Sequence, residues 1–238
     1  DAKVPELVES ALQSLPDAQR FQALVVDEGQ DFPDLWWITL EEAFRSDSRD
    51  NTGTYYVFYD LDQNIRGVPP ELPMLGPPFQ LQQNCRNTLR IIDFCRKVSS
   101  SPITPMDGTP PGEEPTQERV PDSRSAMAEI SRTLSRWLDP AQGNLQRPQI
   151  AILTRRSLIE ELLLLHSRRN TIFALTGSLA EWRAGSAILI TTPNSFKGLE
   201  ADAVITVNPP DPHTMSPVHH YVCRSRARHL LHMIQIGD

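Results

Sequence analysis

An α/β fold, with parallel sheets covered by helices on both faces, is predicted by three features of the sequence. Short apolar runs of strand length alternate with segments of helical spacing along nearly the whole chain. Some of those runs, QIAILT (149–154) and AVITVN (203–208) among them, are almost continuously apolar, as strands buried on both faces are. The run Ala23–Val26 stops at two adjacent acids, Asp27 and Glu28, which places carboxylates at the carboxyl edge of a sheet, where ligands bind in open α/β folds.

The elements follow in order. PELVESALQSL (5–15) has helical spacing and a proline suited to a helix start. The strand at 23–27 leads through Pro33 into DLWWITLEEAF, an amphipathic helix to about Phe44 in which Trp36 and Trp37 are packing residues. A polar loop (46–53) precedes the strand TYYVFYD (54–60), and the Pro- and Gly-rich residues 68–79 read as a linker. A helix is expected from Thr88 to Val98, then a long loop over 99–122, a helix over 125–138, the strand QIAILT and a helix over 157–169. TIFALTG (171–177), AILITT (187–192) and AVITVN are expected strands; HHYVCRSRARHL (219–230) looks helical, and LLHMIQI closes as a strand.

Composition narrows the function. The 238 residues suffice for one large domain or two small ones. A net charge of −7 argues against a protein that coats nucleic acid through its overall charge, while leaving room for a local basic strip. Three cysteines, Cys85, Cys95 and Cys223, are widely spaced and form no CxxC pair, so neither a zinc site nor a disulfide framework is indicated. No apolar run approaches the roughly 20 residues that span a bilayer. The chain opens at Asp1 without an initiator Met, as expected of a piece of a longer protein.

Five segments then occur in a fixed order: VVDEGQDF (25–32), YDLDQNI (59–65), LQQNCRN (81–87), TTPNSFKGLE (191–200) and YVCRSRAR (221–228). In this order they resemble motifs II to VI of the UvrD/Rep-like superfamily 1 DNA helicases. The nearest flavour is that of short bacterial helicase-like proteins with DEGQDF and NCRNT, some of which carry an upstream nuclease-related domain. The resemblance implies a RecA-like P-loop NTPase architecture. Residues 1–79 would be the end of a first lobe and 80–238 a compact second lobe without a large accessory insertion, joined by the Pro-rich linker as a hinge.

The resemblance also implies roles, and phosphoryl-transfer chemistry explains why these residue types suit them. Asp27 would hold Mg²⁺ and Glu28 would be the base that activates water. Gln30 and Gln63 would sense the γ-phosphate of ATP, and Arg86 and Arg226 would be arginine fingers. Gly198 and Glu200 belong to the nucleotide site, Glu200 taking a ribose hydroxyl. Thr192, Asn194 and Lys197 fall to the nucleic-acid strand. The implied cofactors are ATP and Mg²⁺, and the implied partner is single-stranded DNA or a duplex junction. The implied setting is DNA repair in the bacterial cytoplasm, at the nucleoid.

Departures from the family pattern qualify this. No GxxxxGK[ST] occurs in the 238 residues, so the phosphate-cradling P-loop would have to lie upstream and the isolated chain should be inactive. Cys85 stands where the family has Tyr, Arg66 and Gly67 follow Ile65 where aromatics would stack on bases, and Asn194 replaces a His. Arg224 is also unusual, and a salt bridge is the expectation for it. The alternatives are a degenerate helicase lobe serving as a nucleic-acid or protein binding module, and the motor part of a nuclease–helicase. A helical step from Val222 would place Arg226 on the turn nearest the packed face, from which it reaches across the cleft; its loss is expected to harm turnover and, like a surface arginine change, to matter little for folding.

Overall fold

The computed structural model describes residues 3–14, 16, 21–43, 54–65, 72–73, 76–169, 171–208 and 216–237. The chain divides into two compact units, Asp1–Leu81 and Gln82–Asp238. The expected loop at 46–53 and half of the Pro-rich hinge at 68–79 lie outside the described residues.

The first unit contains α1 (Lys3–Gln13), β1 (Ala23–Val26), α2 (Asp34–Ala43) and β2 (Thr54–Val57). The strands pair in parallel and in register, Ala23 opposite Thr54 and Val26 opposite Val57. A parallel pair needs a crossover between its strands, and α2 supplies it. The α2 tryptophans pack as expected: Trp37 is buried, and the Phe32 ring lies 5.7 Å from Trp36 and 5.2 Å from Trp37. β2 ends at Val57, so the expected strand over 54–60 is shorter than its apolar run, and residues 58–60 form no regular element.

The second unit is built on a six-stranded, all-parallel sheet of order β5-β10-β9-β6-β8-β7. Its strands are β5 (Thr116–Val120), β6 (Ile150–Thr154), β7 (Leu175–Thr176), β8 (Ile188–Thr191), β9 (Ala201–Asn208) and β10 (Ala227–Ile236). A separate two-residue pair joins β3 (Gln83–Asn84) to β4 (Thr104–Pro105). Successive strand side chains point to opposite faces, and this splits the core in two. Ile150, Ile152, Ile188, Ile190 and Ile205 face α4 (Ser123–Leu138) and α5 (Arg156–Ser167). Ala151, Leu153, Leu189, Val204 and Met233 face α3 (Leu89–Arg96), α6 (Leu179–Arg183) and α7 (Pro217–Ser225). The fold class is therefore the one expected, a parallel sheet with helices on both faces. The helix starts are fixed locally: Asp122 and Ser216 accept from backbone amides at the starts of α4 and α7, and Pro217 fills the first position of α7.

Three further local expectations are corrected. Residues 99–122 are not one loop, since they hold β4 and β5. β5 is the edge strand and exposes Thr116 to Arg119, so its sequence TQERV carries no apolar signal. The segment 219–230 is not one helix; α7 ends at Ser225 and β10 starts at Ala227, because the last residues pair with β9 across a register shift between Ala227 and Leu230. Within 171–177 only Leu175 and Thr176 form a strand. The short helix α6, capped by Ser178 and anchored by the Trp182 Nε1 bond to the Ile150 carbonyl (2.8 Å), had no expectation attached. Among the described residues no helix is long and apolar enough to cross a membrane.

Two polar residues, His232 of β10 and Glu129 of α4, are buried and make contacts out to exposed Thr116 and Arg132. His232 Nδ1 lies 2.7 Å from Thr116 Oγ1 and its Nε2 lies 3.3 Å from Glu129 Oε1, while Arg132 pairs with Glu129. Burial pushes the His232 ring below its ordinary pKa, against the opposing pull of Glu129.

Candidate functional site

In the first unit, parallel pairing decides which residues meet. Because Val26 is level with Val57, the residues that follow both strands leave the same sheet edge together. The chains stay joined just past it: Phe58 N–H donates to the Val26 carbonyl (2.8 Å), and Gly29 N–H donates to the Phe58 carbonyl (2.8 Å). Gly29 is needed for that approach. A Cβ there would stand 2.6 Å from Val57 Cγ1 and 3.4 Å from Trp37.

Side chains extend the link. Gln30 is buried; its Nε2 donates to Glu28 Oε2 (2.6 Å), and its Oε1 accepts from the Asp60 amide (3.0 Å). Asp60 in turn accepts from the Asp62 amide (2.9 Å) and from Gln63 Nε2 (2.6 Å). Glu28, Gln30, Asp60 and Gln63 are thus joined by hydrogen bonds: a side-chain amide meets a carboxylate at each end, and the middle link runs from the Asp60 backbone amide to Gln30. Burial raises the Asp60 pKa, helped by the nearby Asp62 and Glu28 charges and opposed by the Gln63 and Asp62 hydrogen bonds.

Glu28 itself has φ 55° and ψ 41°. It and Asn144 are the two non-glycine residues with positive φ among those described. This backbone costs about 1–3 kcal/mol and concentrates at functional sites. Asp27 is exposed, its Oδ1 accepting from the Glu28 amide (2.9 Å). An exposed carboxylate at a strand end is a hard oxygen donor of the kind Mg²⁺ takes, one or two at a time, together with phosphate oxygens. Among the described residues no group of three or more His, Cys, Asp or Glu is arranged to hold a metal by protein ligands alone.

In the second unit, the expected residues gather at the amino ends of β9 and β10. Glu200 directly precedes β9, and Arg226 directly precedes β10, with Ala201 N–H donating to the Arg226 carbonyl (3.0 Å). Arg86 Nε is 2.8 Å from Glu200 Oε2, and Arg228 Nε is 3.6 Å from the other Glu200 oxygen. Arg226 is 2% exposed, and its Nη1 donates to the Leu199 carbonyl (3.3 Å). The expectation of a continuing helix, on which loss of Arg226 matters as little for folding as a surface change, is therefore corrected: Arg226 is the single residue between α7 and β10, and it is buried. Arg224, for which a salt bridge was the expectation, instead donates to the Phe94 carbonyl (3.0 Å) and lies 5.5 Å over the Phe94 ring, tying α7 to α3. Burial pushes the Cys95 and Cys223 thiols up to about 12, so neither is a thiolate nucleophile at neutral pH.

The candidate strand-binding residues lie on the turn after β8. Thr192 Oγ1 is 3.0 Å from Ser195 Oγ and accepts from the Ser195 amide (3.2 Å), while Asn194 is exposed and Lys197 half-buried. Phe196 anchors the turn, fully buried 5.7 Å from the Trp182 ring. Gly198, with φ 76°, reverses the chain towards Glu200. In the first unit Glu28, Gln30 and Gln63 share one network, and in the second Arg86 meets Glu200, whereas Thr192 and Asn194 follow the carboxyl end of β8 and not the amino ends of β9 and β10. Two residues that sequence reasoning left without a role stand out: Asp60, the hub of the first network, and Asn87, 3% exposed at the junction beside Arg226.

No protein-family profile matches the sequence, and no curated protein matches it. Solved structures to which the chain is similar include the following. The C-terminal domain of a possible DNA helicase from Lactobacillus plantarum WCFS1 aligns with a TM-score of 0.47 and 21% identity, over 64% of this chain and 88% of that one. Arterivirus nonstructural protein 10, a helicase, aligns with a TM-score of 0.39 and 14% identity, over 88% of this chain and 38% of that one. The same viral helicase in complex with DNA gives 0.40 and 14%, over 89% and 39%. The chain thus spans less than two fifths of the viral helicases it resembles.

Proposed function

We propose that the chain is the carboxy-terminal part of an ATP-dependent DNA helicase or translocase of the UvrD/Rep-like kind, which moves along single-stranded DNA. The observation that carries this is the hydrogen-bonded network of Glu28, Gln30, Asp60 and Gln63 at the carboxyl edge of β1 and β2, its middle link made by the Asp60 backbone amide. It links Glu28, the acid assigned to activating water, with both glutamines assigned to nucleotide sensing. In this reading residues 1–79 end a first RecA-like lobe and 80–238 form the second.

Each residue has a task that its surroundings suit. Gln30 holds the Glu28 carboxylate through Oε2, orienting it to take a proton from water. Gln63, held through Asp60, passes a change at the phosphate to the same network. Asp27 is the ligand for Mg²⁺, which, when bound, neutralises charge on the β- and γ-phosphate oxygens. Arg86 and Arg226 supply positive charge for the transferring phosphoryl group. Glu200, already bonded to Arg86, adds the ribose contact. Thr192, Asn194 and Lys197 face the strand. The P-loop belongs to a part of the longer protein other than these residues.

The test is ATP hydrolysis by the natural full-length protein with and without single-stranded DNA. Stimulated turnover that Glu28→Gln lowers by about 10²–10⁴-fold, the usual worth of a general base, supports the reading. Strand binding without nucleotide turnover would remove it and favour a binding module. That second reading has its own support, since no GxxxxGK[ST] occurs in the 238 residues.

A further inference from the structure

The junction between α7 and β10 is one residue long, and that residue is Arg226. A one-residue junction has little local means of fixing its direction. The last carbonyls of a helix have no partner within it, and the first residues of β10 pair irregularly with β9. Both problems are met by one side chain from elsewhere. Asn87 Nδ2 donates to the Ser225 carbonyl (3.0 Å) and to the Ala227 carbonyl (2.5 Å), the residues on either side of Arg226. Two carbonyl acceptors require the amide nitrogen to face them, so chemistry settles the orientation of the amide. The remaining oxygen accepts from Asn84 Nδ2 (2.8 Å), while Asn84 Oδ1 accepts from the Arg86 and Asn87 amides (3.0 Å each). One small network therefore sets the backbone of both Arg86 and Arg226.

We infer that Asn87 is a positioning residue for Arg226: its amide clamps the backbone on both sides of the arginine and so fixes where the guanidinium points. The role in turnover rests on the function proposed above; the clamp itself does not.

Two measurements separate these. The first is ATP hydrolysis by the full-length protein as wild type, Asn87→Ala, Arg226→Lys and the double variant. Asn87→Ala is expected to lower kcat by about 10²-fold, the cost of a roughly 1 Å misplacement, with KM for ATP within about threefold. The double variant should be no slower than Arg226→Lys alone, because both changes remove the same placement. Multiplicative losses, or a raised KM with kcat intact, overturn the role in turnover.

The second is amide hydrogen exchange, which needs no activity. In Asn87→Ala the Ala201 amide, bonded to the Arg226 carbonyl, should exchange at least tenfold faster, while amides of Ile152 and Ile190 keep their protection. Unchanged protection at Ala201 overturns the clamp. If wild type hydrolyses no nucleotide, the proposed function fails and exchange alone decides the clamp. If Asn87→Ala does not fold, Asn87→Ser, which keeps one donor, should show intermediate exchange at Ala201; wild-type exchange there overturns the clamp equally.

Discussion

The two units carry the acids and arginine that flank these strands at opposite ends: the carboxyl ends of β1 and β2 in one, the amino ends of β9 and β10 in the other. In the first, Asp27, Glu28 and Asp60 follow the carboxyl ends of β1 and β2. In the second, Glu200 and Arg226 precede the amino ends of β9 and β10. The frameworks differ as well. The second sheet is sealed by two apolar clusters on its two faces, whereas Val25 and Tyr56 of the first pair are exposed. The contrast teaches that a strand's carboxyl end is the place to look for acids, while arginines can be set by a helix end running into a strand start. The partial negative charge at a helix C-terminus suits a guanidinium.

The largest effect should come from the sealed sheet. Ile152 is fully buried between β9 and β8, and Ile152→Ala should cost about 2–5 kcal/mol, read by urea unfolding with unit-resolved hydrogen exchange. The loss should fall on the second unit. A cost under about 1 kcal/mol would show that the framework is looser than its packing implies.

Next is Gly29→Ala, which forces a methyl against Val57 and should cost the first unit about 1–3 kcal/mol. The Phe58 amide reports it, because its bond to Val26 lies directly beside the clash. Unchanged exchange there would mean that the close approach of residue 29 to β2 is not tight.

Acid should separate the units further. In the second, burial is the leading cause that lowers the pKa of His166, His219, His220 and His232. The unfolded chain then binds more protons than the fold, so stability is complete above about 6.5 and falls as pH drops through that value. His232 is faced by Glu129, Arg132, Arg136 and Glu118, and its burial outweighs both glutamates. In the first unit Asp60 shifts the other way, so its contribution is greatest below about 3.9 and is lost as pH rises through its raised value. Exchange-derived stability at pH 7.5 and 5.5 should therefore fall in the second unit and hold or rise in the first. Equal losses in both would refute the assignment.

The smallest effect belongs to Arg86 and Glu200. Each is about two fifths exposed, and a double-mutant cycle should return about 0.2–1 kcal/mol. A larger coupling would make this pair structural and weaken the role proposed for it.

Much of this was legible in the sequence, and the remainder was not for physical reasons. Strands such as β6 and β9 are buried on both faces, so continuous apolar runs revealed them. β5 has one buried residue, Val120, and no pattern to read. Asp27 and Glu28 stood out because a strand ends beside them. Asp60 gains its meaning only when parallel pairing sets it against Gln30, thirty positions away. The Arg226 junction was hidden because apolar spacing in YVCRSRAR continues past the point where pairing with β9 takes over.

The place of β10 in the sheet has a consequence for how the protein is made. It lies between β9 and β5, yet it is the last of the six strands to leave the ribosome. Until its ten residues emerge, β5 has no neighbour in the sheet and β9 shows an open edge. Pairing Thr116 with His232 then closes a very long stretch of chain, which is slow by its topology. During synthesis the second unit should therefore remain incomplete, with an apolar strand edge available to other chains, until β10 has emerged.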